Sequence, residues 1–462
     1  MKKIIKNGLV VSDSAVYQAS ILIENEKILS IGADFPETEA EIIDASGKFV
    51  IPGAVDVHTH MDLAVGNSRA VDDFFDGTVA AACGGTTSIV DHLAFGPDGC
   101  PLRHQIDEYH RLAAGKAVVD YGFHGVIQHV DANILQEMEE LAQEGYTSFK
   151  VYLTYDNMLQ DPDLFRVLQR AAELGIVIPV HCENNGVVNV LRAQMKEKGC
   201  LSPRFHPLSR PDRCEAEAVS RLLYLASMAG DAPVYVVHLS TEKGLQEIES
   251  AREAGQKNIM VETCPQYLVF TDEKYQDDSE GLKYIMSPPL RKKSDCEALW
   301  KGISNGQIQI VATDHCPFNF GKEKQLGAND FTACPNGAPG VEERLRVILS
   351  EGVMKGRITI NKMVEILCTN PAKAYGLYPQ KGAILPGADA DIVILDPEKE
   401  RILTQKDMHS AVDYTCYEGM KVRGEIDLVM QRGEVIVKEN QFLGKRGRGK
   451  FLPRKRSLLI HP

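Results

Sequence analysis

The segment Val55-Asp56-Val57-His58-Thr59-His60 sets two imidazoles two residues apart, so on an extended strand both point to the same face. A single histidine more often packs in a core than binds an ion, but a His-x-His pair where a strand stops has ligand geometry. Four further apolar runs also end on ligand-type side chains. Lys150 lies in Phe149-Lys150-Val151-Tyr152, His181 follows Ile178-Pro179-Val180, His238 follows Tyr235-Val236-Val237, and Asp314 follows Ile310-Val311-Ala312-Thr313. Each carries little weight alone. Gathered on one rim, His58, His60, His181, His238 and Asp314 supply nitrogen and oxygen donors suited to zinc or a similar divalent ion. Lys150 fits this set poorly as an ammonium, because a cation beside two dications is electrostatically intolerable. Either it is a salt-bridged structural lysine, or it reacts with carbon dioxide and becomes an anionic carbamate able to bridge two metals.

Those residues need a scaffold that brings strand ends together. Apolar runs of strand length alternate with helix-period segments at Phe49 to Val57, Thr86 to Val90, Asp120 to Val126, Thr147 to Val151, Val177 to Val180, Val234 to Val237, Ile259 to Glu262 and Ile308 to Ala312. No Gly-x-Gly-x-x-Gly follows a strand, so the pattern predicts an α/β fold of the (β/α)8 TIM-barrel type, with chemistry at the C-terminal strand ends. Short alternating segments occupy both chain ends: Ile4 to Val11, Ala19 to Glu24, Lys27 to Ile31 and Glu41 to Asp44, then Gly382 to Asp396, Gly424 to Met430 and Glu434 to Val437. They predict one small β-sandwich built from both ends. The expected division is 1–51 and 378–440 for the sandwich, 52–377 for the barrel and 441–462 for a basic tail.

Composition narrows the function classes. The chain has 462 residues, 44% hydrophobic and 25% charged, and no apolar run near the roughly 18 residues of a membrane span. The start, Met1 to Gly8, runs straight into a strand pattern and lacks a secretory signal, which predicts a cytoplasmic protein. Its 11 cysteines are scattered without a Cys-x-x-Cys pair, so neither a disulfide framework nor a thiolate zinc site is expected. A net charge of −13 argues against nucleic acid as a partner. The local exception is Gly444 to Arg456, rich in lysine and arginine, which reads as a solvated or subunit-contacting tail more simply than as a nucleic-acid arm.

Taken together, His58-Thr59-His60, Lys150, His181, His238 and Asp314 resemble the binuclear amidohydrolase superfamily. Within it the chain resembles the dihydropyrimidinase and hydantoinase family, including its D-phenylhydantoinase-like branch. The carrying segments include Asp72-Asp73-Phe74-Phe75-Asp76-Gly77-Thr78, Glu262-Thr263-Cys264-Pro265-Gln266-Tyr267-Leu268, Ser287-Pro288-Pro289-Leu290-Arg291, Thr313-Asp314-His315-Cys316-Pro317-Phe318 and Pro335-Asn336-Gly337-Ala338-Pro339-Gly340. The resemblance covers essentially the whole chain. It implies two divalent ions, zinc first and manganese as the alternative, bridged by a carbamate on Lys150. It also implies that Tyr155 contacts the substrate oxygen, that Ser287 and Asn336 hold the ring amide through their backbone, and that the protein is a homotetramer. Dihydroorotases place an arginine just after the first metal motif, whereas Met61 and Asp62 follow His60 here, which disfavours an acidic ring.

The expected reaction is hydrolytic opening of a cyclic amide: a 5-substituted hydantoin, with a D-aryl one expected, or a 5,6-dihydropyrimidine, giving an N-carbamoyl amino acid. Asp314 is expected to accept the proton of the attacking water and pass it to the departing nitrogen, with Tyr155 donating to the oxyanion. Leu63, Val65, Leu93, Phe95, Tyr152, Met158 and Leu159 either line a pocket for the ring substituent or pack against the barrel. Two alternatives stand beside this: an amidohydrolase acting on another ring, allantoin or dihydroorotate, and a catalytically silent scaffold.

Overall fold

The computed structural model describes residues 2–461. Its centre is an eight-stranded parallel sheet formed by β1 (Ala54–Thr59), β2 (Thr86–His92), β3 (Asp120–Val126), β4 (Phe149–Tyr152), β5 (Ile178–His181), β6 (Val234–Val236), β7 (Ile259–Thr263) and β8 (Ile310–Val311), paired in chain order. Two contacts join its first and last strands at the C-terminal end: Thr59 bridges His315 in parallel, and the His60 N–H donates to the His315 carbonyl at 2.9 Å. At the other end the buried Arg344 guanidinium donates to the Val55 and Val311 carbonyls, both at 3.0 Å. The eight strands therefore close into the expected barrel.

Helices cover its outside for the usual amphipathic reason. In Ala132–Gln143, Asp131 caps the first turn by accepting from the Ile134 N–H at 2.9 Å, and Ile134, Met138 and Leu141 bury one stripe against the sheet. The barrel strands are buried almost throughout, as parallel strands covered on both faces must be.

Both chain ends build the second unit. A four-stranded sheet orders Lys27–Gly32, Ser20–Glu24, Lys2–Lys6 and Ala40–Asp44. A seven-stranded sheet mixes N-terminal Phe49–Pro52, Leu9–Val11 and Val16–Gln18 with C-terminal Ile392–Ile402, Lys421–Gln431, Glu434–Lys438 and Gln441–Phe442. Ile51 pairs Val393 and Val50 pairs Ile394, so the two ends meet in one antiparallel ladder. Between the sheets lies an apolar cluster containing Ile5, Ile21, Ile23, Val50, Ile392, Ile394 and Met430.

Two details depart from the expected elements. Phe49 to Val57 is two strands, because the chain leaves the sandwich at Pro52 and enters the barrel at Ala54. Ile4 to Val11 is also two, divided at Asn7, whose φ of 64° turns the chain from one sheet to the other. The basic tail lies along its own barrel. The Tyr121 N–H donates to the Lys450 carbonyl at 3.0 Å, Phe451 packs against Tyr146 and His110, and the buried Arg454 donates to the Phe123 carbonyl and to Ser148. The reason is chemical: Phe451 and Leu452 are apolar anchors, and Arg454 finds its acceptors beneath the barrel. All 11 cysteines are free.

Candidate active site

The C-terminal mouth of the barrel holds a cavity of about 590 Å³. His58, His60, Lys150, Tyr155, His181, His238, Ser287, Asp314 and Asn336 all line it. The topology explains this convergence, since each residue stands at or just beyond the end of a barrel strand or in a loop above one.

Two groups of donors face one another. His58 Nε2 and His60 Nε2 lie 3.1 Å and 3.0 Å from Asp314 Oδ1, forming a compact His-His-Asp triad. His238 Nε2 lies 3.0 Å from His181 Nδ1. Carboxylates behind the imidazoles set which nitrogens point inward. Glu262 Oε1 accepts from His58 Nδ1 at 2.7 Å, which turns His58 Nε2 toward Asp314. Glu183 Oε2 accepts from His181 Nε2 at 2.9 Å, leaving the Nδ1 lone pair toward His238. Glu262 also accepts the Tyr235 hydroxyl at 2.8 Å and the His238 N–H at 2.9 Å.

Lys150 sits among these groups, 1% exposed, and its Nζ has no hydrogen-bond partner. A buried ammonium left unpaired is costly, and burial pushes this amine down to about 8 against the opposing pull of Glu262 and Asp314. A neutral amine is the form that reacts with carbon dioxide. For His58, burial works to lower the proton affinity, but the Glu262 and Asp314 carboxylates overcome it and raise the group to about 9. Burial opposes ionisation of Asp314 as well, yet His58 and His60 hold it well below the usual carboxylate range. These features fit a pair of divalent ions: converging nitrogen lone pairs, an ionised carboxylate and a buried amine that lacks a partner. His58, His60 and Asp314 would hold one ion, His181 and His238 the other, with a carbamate on Lys150 between them.

The rest of the cavity is built for an organic ligand. Tyr155 is fixed by its backbone N–H, which donates to Asn185 Oδ1 at 3.1 Å, and burial pushes its phenol up to about 12, so it keeps its proton. Ser287 donates to Glu183 Oε2 at 2.7 Å, and Asn336 Oδ1 is buried without a partner. Leu63, Val65, Leu93, Phe95 and Tyr152 line the cavity as one of the two sequence readings has it, with the Phe95 and Tyr152 rings 5.1 Å apart. Met158 and Leu159 are absent from the wall, and Leu159 is buried in the barrel core instead.

Sequence reading missed several participants. Glu183, Arg210 and Asn185 read as ordinary loop polar residues. Glu262 was visible only as part of a motif, although a carboxylate closing the apolar run Ile259-Met260-Val261 is itself a signal of a buried charge with a task. His92, whose ring lies 4.2 Å from those of both His58 and His124, has no partner at either nitrogen. Arg69 pairs with Asp62 at 3.2 Å, Asp73 with Lys116 at 2.8 Å and Glu342 with His409 at 2.8 Å.

Residues 49–436 match the model of the amidohydrolase family. This chain belongs to that family. It is 48% identical over 456 residues to a D-phenylhydantoinase of Escherichia coli O1:K1 / APEC, covering 98% of each chain. Among solved structures it is similar to the dihydropyrimidinase from Brevibacillus agri NCHU1002, with a TM-score of 0.97 and 45% identity over 100% of both chains. It is similar as well to the D-hydantoinase from a Bacillus sp. AR9, with a TM-score of 0.96 and 45% identity over 98% of this chain and 99% of that one. The expected family and barrel are thus borne out.

Proposed function

We propose that this protein hydrolyses the cyclic amide of 5-substituted hydantoins, with D-aryl hydantoins preferred, and opens 5,6-dihydropyrimidines by the same chemistry. Water adds across the ring C–N bond, and the product is an N-carbamoyl amino acid. The observation that carries the reading is the joint placement, in one cavity, of the His-His-Asp triad, the His181–His238 pair and buried Lys150 beside an apolar wall. The named activities of the E. coli and Brevibacillus relatives support both ring types.

The amidohydrolase family is binuclear and metal-dependent, and bound divalent ions there supply Lewis acidity and acidify a water. We assign zinc to the site, with manganese as the alternative, and a carbamate to Lys150. The chain's own residues do the rest. Asp314, ionised, accepts the proton of the attacking water and delivers it to the ring nitrogen as the C–N bond breaks. Tyr155, protonated, donates to the carbonyl oxygen as charge develops there. Ser287 and Asn336 hold the ring amide through their backbone, and the Leu63–Val65 and Leu93–Phe95 loops receive the ring substituent.

The cavity disfavours an acidic substrate. Among the described residues its wall carries no arginine, and Asp98 and Asp156 stand on it instead. A dihydroorotate carboxylate would meet repulsion rather than a partner. The filled ligand set likewise speaks against a silent scaffold. We take the protein to be a cytoplasmic homotetramer. No helix among the described residues is long and apolar enough to cross a membrane.

The test is metal content per chain together with ring opening of D- and L-phenylhydantoin, dihydrouracil, allantoin and dihydroorotate. Two ions and faster turnover of D-phenylhydantoin than of its L form are expected. A preparation that stays inactive on all five after bicarbonate and zinc or manganese are supplied sinks the reading.

A further inference from the structure

Glu183 is placed unlike an ordinary buried ion-pair carboxylate. Its Oε2 accepts from three donors belonging to three parts of the site: His181 Nε2 at 2.9 Å, Arg210 Nη1 at 2.6 Å and Ser287 Oγ at 2.7 Å. Its Oε1 is buried with no partner. Arg210 and a carboxylate paired only for stability would favour the two-pronged geometry that guanidinium and carboxylate both permit. Here all three donors share one oxygen, so moving any one of them disturbs the other two.

The three donors have different tasks. His181 presents its other nitrogen to the ion pair's position, and that orientation depends on the Nε2–H bond to Glu183. Ser287 sits before Pro288 in a loop that lines the cavity, and its hydroxyl anchors that loop to Glu183. Arg210 lies with its guanidinium carbon 5.7 Å from the Tyr155 ring centre, and its own carbonyl accepts from Arg291. Glu262, the comparable carboxylate behind His58, reaches Tyr235 and the His238 backbone but no substrate-holding group.

We propose that Glu183 is a positioning residue that couples the ligand His181 to the substrate-holding groups Ser287 and Tyr155, so that ion retention and substrate affinity change together when its carboxylate is altered. The proposal rests on the reading of the cavity given above. Replacing the carboxylate by an amide removes the charge that holds Arg210 and leaves one weaker, neutral oxygen to serve three donors. The His181 ring and the Ser287 loop are then held by a weaker acceptor.

The experiment compares Glu183→Gln, Ser287→Ala and their double variant with the wild type, reading ions retained after dialysis against a chelator, KM and kcat on D-phenylhydantoin, and melting temperature. For Glu183→Gln we expect weaker retention of the ion on the His181 side and a KM raised by about 10-fold. Ser287→Ala should raise KM and retain its ions like the wild type. In the double variant the Ser287→Ala step should raise KM by less than it does alone, because its acceptor is already weakened. Glu343→Gln, which alters a buried carboxylate bonded to Thr415 away from the cavity, should change neither ion retention nor KM. Wild-type ion retention in Glu183→Gln, or KM effects that add independently in the double variant, overturns the proposal. Should Glu183→Gln not fold, Ser287→Ala decides alone, and an unchanged KM overturns it. A wild type that binds ions yet opens none of the rings overturns the proposed reaction instead, while ion retention in Glu183→Gln still reports on the link to His181.

Discussion

Tyr155, His238 and Asp314 share a left-handed backbone, with φ of 72°, 37° and 53°. Side chains with a Cβ adopt that region at a cost and persist there only where the surroundings hold them. The holding contacts are visible: Asn185 fixes the Tyr155 N–H, and two imidazoles fix the Asp314 carboxylate. Asp314→Asn keeps the size and shape of the side chain but cannot take a proton, so turnover should fall by roughly 10² to 10⁴-fold while the melting temperature stays close to wild type. Wild-type turnover in that variant removes Asp314 from the proton path. Tyr155→Phe should cost roughly 10²-fold in kcat with a smaller change in KM. Its pH profile adds a second check. A phenol pushed up to about 12 donates at every lower pH and is lost only as pH rises through that value, so the alkaline limb of the profile below about pH 11 should be the same in both proteins. A limb that disappears in Tyr155→Phe would show that the phenol titrates earlier. The ligand residues were legible in the sequence because each interrupts an apolar run at a strand end. Glu183 and Arg210 were not, because a charge in a loop looks solvated until the fold buries it.

At the level of elements, the passage from sandwich to barrel hangs on Gly53. Its N–H donates to the Asp391 carbonyl at 2.8 Å, and a Cβ built there would lie 2.2 Å from Thr87 Oγ1 and 2.6 Å from Thr87 Cγ2. Gly53→Ala should therefore destabilise the protein by about 1–3 kcal/mol through overpacking, read from denaturant unfolding. Thr87→Ser removes the Cγ2 methyl, and adding it to Gly53→Ala should recover part of the loss. A double variant no more stable than Gly53→Ala alone would place the strain elsewhere. The same glycine shows where sequence reading stopped. Phe49 to Val57 is continuously strand-like in its residue types, and nothing local says that its first half pairs Ile392–Ile402 while its second half pairs β2. That choice is made by partners more than 300 residues away, which a local pattern does not contain. The barrel strands were legible because burial on both faces makes them continuous apolar runs, and a parallel sheet leaves few other arrangements.

The whole molecule is tied together at the end of the barrel away from the cavity by charge, beside the apolar contact that sandwich residues such as Val393, Leu395 and Ile426 make with the barrel core. Lys381, with no exposed side-chain surface, reaches Asp120 at 2.6 Å, Asp391 at 2.8 Å and Asp389 at 2.9 Å. Asp120 opens β3, Asp391 directly precedes the sandwich strand Ile392–Ile402, and Asp389 also meets Lys27 at 2.6 Å. Arg432 joins Asp120 to Glu26, and the Lys450 N–H from the tail donates to Asp120 at 2.9 Å. One buried ammonium thus holds barrel and sandwich together, with the tail fastened to the same aspartate. Burial alone would lower the Lys381 proton affinity, but Asp391, Asp120 and Asp389 outweigh it and raise the group above its ordinary value. A raised lysine contributes stability fully below its unfolded value and loses it only as pH climbs through the folded one, so this junction holds across the neutral and mildly alkaline range. Lys381→Met preserves length and volume but removes the cation facing Asp391 and one of two on each of Asp120 and Asp389, and it should cost about 3–5 kcal/mol, lowering the melting temperature by roughly 5 °C. Because the junction lies at the opposite end of the strands from the cavity, kcat/KM per folded molecule should stay near wild type at a temperature where the variant is folded. Loss of activity without loss of stability would mean that the sandwich junction acts on the catalytic rim, whereas the predicted pair of results separates what holds the molecule together from what performs its chemistry.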